Sequence, residues 1–99
     1  MANITEKLPN LGGKCVSITI MDDGNSHDLF NPNFELQGGR IFIVGTVPEG
    51  ATDSNWVAGC QSAVAWDRVT DYFVFENIEA YTKAIEKSNQ YEKENPDES

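Results

Sequence analysis

Seven consecutive residues, DDGNSHD at 22–28, hold the densest set of chemically capable side chains: Asp22, Asp23, Asn25, His27 and Asp28. Carboxylates and an imidazole this close together raise the question of a cation site. A calcium loop of the EF-hand kind spreads its ligands over twelve residues between two helices and ends in a bidentate acid. Here the stretch lies between strand-like segments and lacks that spacing. Zinc favours several Cys or His ligands, and the chain has one His. The stretch therefore reads as a polar turn, with no metal and no cofactor expected.

Nucleophilic chemistry fares no better. Ser26, His27 and Asp28 are adjacent, and successive strand residues point to opposite faces, so adjacency does not build a triad. A thiol–imidazole pair of Cys60 with His27 would need the fold to bring the two together. The simpler role for Cys60, set among Val57, Ala58, Ala63 and Val64, is that of a small buried filler. Gly12-Gly13-Lys14 and Gly38-Gly39-Arg40 lack the strand-to-helix setting of a phosphate loop and read as turns. No catalytic residue is expected, and the chain reads as a non-enzyme.

Trp56 is the residue whose type and place call for a function. It follows the polar stretch ATDSN at 51–55, with no apolar neighbour before it. Such a Trp either folds back as a lid or stands out as a contact residue, and Trp is enriched among binding hot spots. Around it the charge is one-sided. Residues 21–53 carry Asp22, Asp23, Asp28, Glu35, Glu49 and Asp53 against Arg40 alone, and the whole chain has a formal charge of −9. A field of that sign repels phosphates, which disfavours nucleic acid and anionic membranes and favours a basic protein partner.

The elements that must position these residues are mostly strands. KCVSITIM at 14–21 alternates Val16, Ile18 and Ile20 against polar neighbours, the period of a half-buried strand. Asp23-Gly24 supplies hairpin chemistry. The return segment 26–39 is interrupted by Pro32, which cannot donate to a ladder, and is expected as a bent or bulged edge strand. RIFIVGTV at 40–47 is apolar on both faces, as a central strand would be, with Gly45 marking a bend or a close backbone approach. Strands at 56–66 and 69–76 follow, with Asp67-Arg68 as the turn between them, and Trp66, Phe73 and Phe75 in core positions. From Asn77, a favourable N-cap, Ile78, Tyr81 and Ile85 repeat at helical spacing.

One domain is expected over residues 1–90, with strands across about 14–76, a helix across about 77–90 and a disordered acidic tail at 91–99. The fold class is mainly β (α+β): a five-stranded antiparallel small barrel, SH3-like, or a strongly curved sheet, with one C-terminal helix. Neither a leader pattern nor a run of membrane-spanning length stands out, so a cytoplasmic location is expected. With two cysteines in no C-x-x-C arrangement, reduced thiols are expected.

The functional expectation is an acidic protein-binding module that inhibits or neutralises a basic partner, as small immunity or antagonist proteins do. Its binding surface is expected at Trp56, Asp53, Glu49, Asp22, Asp23 and Asp28. The alternative is a small-ligand-binding or oligomeric accessory protein that uses the 48–56 loop as a lid, and homo-oligomer formation stays open.

Overall fold

β-branched alternation gives way to helical periodicity only after Asn77, and the computed structural model follows that division. It describes residues 8–22, 26–52 and 54–94. The elements are β1 (Cys15–Ile20), β2 (Ser26–Gln37), β3 (Arg40–Thr46), β4 (Gln61–Ala65), a 3₁₀ turn (Trp66–Arg68), β5 (Val69–Phe75) and α1 (Ile78–Glu94). All five strands form one antiparallel sheet in the order β4-β3-β2-β1-β5. No ladder joins β4 to β5 among the described residues, so the sheet is open.

One face of the sheet carries the core. Leu11, Val16, Ile18, Leu29, Ile43 and Val64 are buried together, with Phe34, Trp66 and Tyr72 packed around them. Trp66 meets Phe34 edge-on at 4.9 Å and Tyr72 at 5.6 Å between ring centroids. The opposite face bears Cys15, which is paired across the strands with Phe30 on one side and Phe75 on the other. Tyr81 of α1 descends on this face. It is fully buried and meets Phe75 edge-on at 5.5 Å. Asn77 caps α1 through Oδ1, which accepts from the Ala80 amide at 2.8 Å, and this satisfies one of the orphan donors of the first turn.

The long strand β2 departs from expectation. It is central, not an edge, because it works as two half-strands. Ser26–Phe30 pairs with β1, whereas Asn33–Gln37 pairs with β3. Pro32 sits at the irregularity between Phe30 and Asn33, where a missing N–H removes no ladder bond. Asn31 takes φ 53 there, and its Oδ1 accepts from the Gly13 amide at 2.7 Å. The close approach expected at Gly45 is present, since a Cβ on it would lie 3.0 Å from Leu29 Cβ and 3.1 Å from the Phe30 carbonyl oxygen.

Four further details differ from the sequence reading. β4 starts at Gln61 and not near Trp56, because residues 56–59 are turns. Asp67-Arg68 does not close a hairpin: β4 pairs with β3 and β5 with β1, so the 3₁₀ turn links the two outer strands. Phe73 is 65% exposed instead of buried, on a strand whose outer edge is unpaired. The helix continues to Glu94, four residues beyond Gln90, and the expectation for residues 95–99 lies outside the described residues. No described helix is long and apolar enough to cross a membrane.

Candidate functional site

The segment that leaves β3 and returns as β4 is an organised loop. At its neck the Val47 amide donates to the Cys60 carbonyl and the Gly59 amide donates to the Val47 carbonyl, each at 2.8 Å. Successive turns follow inside, with Asn55 N–H donating to the Thr52 carbonyl (3.3 Å), Ala58 to Asn55 (3.1 Å) and Cys60 to Val57 (3.0 Å). Loops whose ends meet and whose backbone bonds to itself hold a shape that an open connection cannot. Asn55 is the keystone: its φ is 55, and its Oδ1 accepts from the Gly50 amide at 2.8 Å. Gly50, at φ 92, seats the loop on the helix, because a Cβ there would come within 3.3 Å of Ile85 Cγ2.

Trp56 rides on this frame with 78% of its surface exposed. The turn from Asn55 to Ala58 points the indole outward. Glu49 is exposed on the same loop. Asp53 and Asp23 lie outside the described residues. Asp22 is exposed at the β1–β2 turn with φ 64, a position the loop cavity does not include.

Asp28 differs most from the expected exposed rim. It is half-buried, and its Oδ2 accepts a 2.5 Å hydrogen bond from the Tyr81 hydroxyl. Its Oδ1 is buried and finds no hydrogen-bond partner among the described residues. Thr52 Oγ1, on the loop, is a second side-chain atom of that kind among the described residues. Both residues line one cavity of about 120 Å³, walled also by Ser26, His27, Val47, Ala51, Val57 and Ser62.

No family model, curated protein or solved structure matches this chain. Whatever the site does must therefore be read from its own atoms.

Burial, and secondarily the charge of Asp28, pushes the Cys15 thiol up to about 12. A thiol held that high is a weak nucleophile at neutral pH, since the thiolate does the chemistry. Burial also raises Tyr81, reinforced by its bond to Asp28. These two groups are therefore locked in their neutral forms and serve packing. Cys60 is exposed, contrary to the buried filler expected, because the turn 56–59 carries it out before β4 begins. Among the described residues no group of three or more His, Cys, Asp or Glu side chains is placed to hold a metal.

A cleft of about 530 Å³ between residues 9–12 and the bulge of β2 is lined by Asn10, Asn31, Asn33, Gln61 and Thr46 with apolar neighbours. Its polar side chains are amides and a hydroxyl, which bind but do not exchange protons near neutral pH. Sequence reasoning singled out Trp56 and Asp28 but missed Thr52 and Tyr81 as their neighbours. The only available hint was the placement of Tyr81 on the buried stripe of the helix.

Proposed function

We propose that this chain is a non-enzymatic, acidic protein-binding module, of the inhibitor or antagonist kind, whose loop 47–60 docks a basic protein partner. The observation that carries this reading is the 78% exposure of Trp56 on a loop whose backbone is fixed by its own hydrogen bonds. A large aromatic held in water costs little conformational entropy when it is covered, which is the profile of a hot-spot anchor.

Electrostatics supports the sign of the partner. Arg40, the one base within residues 21–53, is itself paired with Asp67 at 2.7 Å. No other Lys or Arg lies within that segment to offset its remaining acids. Such a field accelerates encounter with a basic surface and weakens as salt rises. The lid alternative would need Trp56 to be packed, and its exposure removes that support.

The finer fold reading, a sheet bending toward an SH3-like barrel, is supported by the connection between the outer strands. Four strand spacings of about 4.8 Å separate β4 from β5 in a flat sheet, whereas a 3₁₀ turn advances only about 2 Å per residue. Three residues, Trp66–Arg68, make the link. The position of Trp66 between Phe34 and Tyr72 agrees with edges drawn together at that corner.

Affinity capture from native lysate over a salt series, read by mass spectrometry, tests the functional reading. A basic protein retained at low salt and lost steeply as salt rises is the expected result. Capture of acidic proteins alone, or salt-insensitive self-association alone, would refute it.

A further inference from the structure

We propose that the cleft between residues 9–12 and the bulge of β2 is a binding site for a neutral oligosaccharide. It shares no residue with loop 47–60, so the proposal stands apart from the partner reading above.

Charge is the first observation. Charged residues make up 23% of the chain, yet none of the residues lining this cleft is Asp, Glu, Lys, Arg or His. Its polar lining consists of four carboxamide residues, Asn10, Asn31, Asn33 and Gln61, together with Thr46. All four carboxamide residues are exposed, so a ligand can reach them. A carboxamide offers donors and an acceptor in one plane, and hydroxyls answer that pattern because each both donates and accepts. Neighbouring hydroxyls on a sugar ring supply such groups in pairs. No cation lines the cleft to hold a phosphate or carboxylate, and the formal charge of −9 repels both.

The second observation is that two of the amides are held in place. Asn10 Oδ1 accepts from the Gly12 amide at 3.1 Å, and Asn31 Oδ1 accepts from the Gly13 amide at 2.7 Å. Both oxygens flank Gly12, where a Cβ would lie 3.4 Å from the one and 4.0 Å from the other. The carbonyl ends are thus engaged by the backbone, and the NH₂ ends are what these side chains offer a ligand. Side chains ordered beforehand lose less entropy on binding. Pro9, Pro32 and Phe34 add C–H and ring surface, against which the apolar face of a pyranose can lie. The volume of about 530 Å³ falls within the range of roughly 300–1,000 Å³ of small-ligand sites.

A peptide is the rival occupant. An extended peptide binds through its backbone at a free sheet edge, whereas β3, which brings Val44, Gly45 and Thr46 to the cleft, lies between β2 and β4. Val44 and Thr46 each pair on both sides. Recognition here therefore falls to side chains.

The test is an NMR titration of the full chain with three neutral trisaccharides: cellotriose, maltotriose and N,N′,N″-triacetylchitotriose. Trigalacturonic acid and a neutral, end-blocked glycine–serine tetrapeptide serve as the contrasting probes. Saturable shifts at Gly12, Asn33, Thr46 and Gln61 are expected with at least one neutral sugar, and none with the acid or the peptide. Asn33→Ala and Gln61→Ala each remove one amide from an exposed position, and each should weaken binding about fivefold, the scale of one net hydrogen bond. Trp56→Ala should leave it unchanged.

No saturable shift with any of the three sugars, binding of the acid or the peptide as tight as that of the sugars, or full binding by both amide variants would overturn the inference. Loss of sugar binding in Trp56→Ala would also overturn it, by moving the ligand to the loop. Capture of a basic protein, or its failure, bears on loop 47–60 alone.

Discussion

Tyr81 and Asp28, 53 residues apart, are joined by a hydrogen bond from the phenolic hydroxyl to a carboxylate oxygen, and this bond ties the terminal helix to the centre of the sheet. Removing the hydroxyl leaves the ring packing and takes away the donor to Oδ2 of a half-buried carboxylate. Tyr81→Phe should therefore cost about 1–3 kcal/mol, the penalty of an unsatisfied buried acceptor. Urea titration of the two proteins checks this. A variant as stable as the parent would show that the bond contributes nothing.

High pH should unfold the protein through the same region. Folding raises Cys15 from 9.0 to about 12 and raises Tyr81 above its ordinary 10.0. In both cases the folded state holds its proton more tightly than the unfolded chain does. The resulting stability is complete below about pH 9 and is lost as pH rises toward 12. Urea midpoints at pH 7, 9 and 10.5 should fall across the last interval, and the fall should be shallower in Cys15→Ala. A flat profile to pH 10.5 would contradict the burial assigned to both groups.

At Gly45 the prediction concerns packing. A Cβ would sit 3.0 Å from Leu29 Cβ and 3.1 Å from the Phe30 carbonyl, and neither neighbour is a flexible side-chain end. Gly45→Ala should lower stability by about 1–3 kcal/mol, as overpacking does. Gly12→Ala makes the comparison, because its nearest neighbour is the tip of Asn10 at 3.4 Å. Equal thermal midpoints for the two variants would refute the close approach.

Much of this architecture is legible in the sequence because its causes are local. Alternation marks β1, Asn77 marks the start of α1, and Gly38-Gly39, at φ 57 and 83, forms the tight turn that only such residues allow cheaply. Gly45 likewise signals its close neighbour. What escapes is non-local. Nothing near Pro32 reveals that β2 divides between two partners, and nothing near Trp56 reveals that Asn55 adopts φ 55, which ends the extended run and turns both the indole and Cys60 outward. Asp28 reads as an exposed acid because Tyr81 and Thr52, which enclose it, come from elsewhere in the chain.

The thiols offer a simple check on that last point. Cys60 is exposed and Cys15 is buried, so a native sample should react with a thiol reagent rapidly at Cys60 and only on unfolding at Cys15. Rapid labelling of both, or of neither, would mean that the loop neck or the helix packing differs from the one described.

The central claim is that Trp56 anchors a partner and does not support the fold. Its most direct test is Trp56→Ala, measured for affinity toward the captured basic partner and for thermal stability in the same buffer. The account predicts a binding loss of about 2 kcal/mol or more, the scale of a hot-spot residue, with a thermal midpoint close to that of the parent. Unchanged affinity, or a large drop in the midpoint that accounts for the loss, would contradict it.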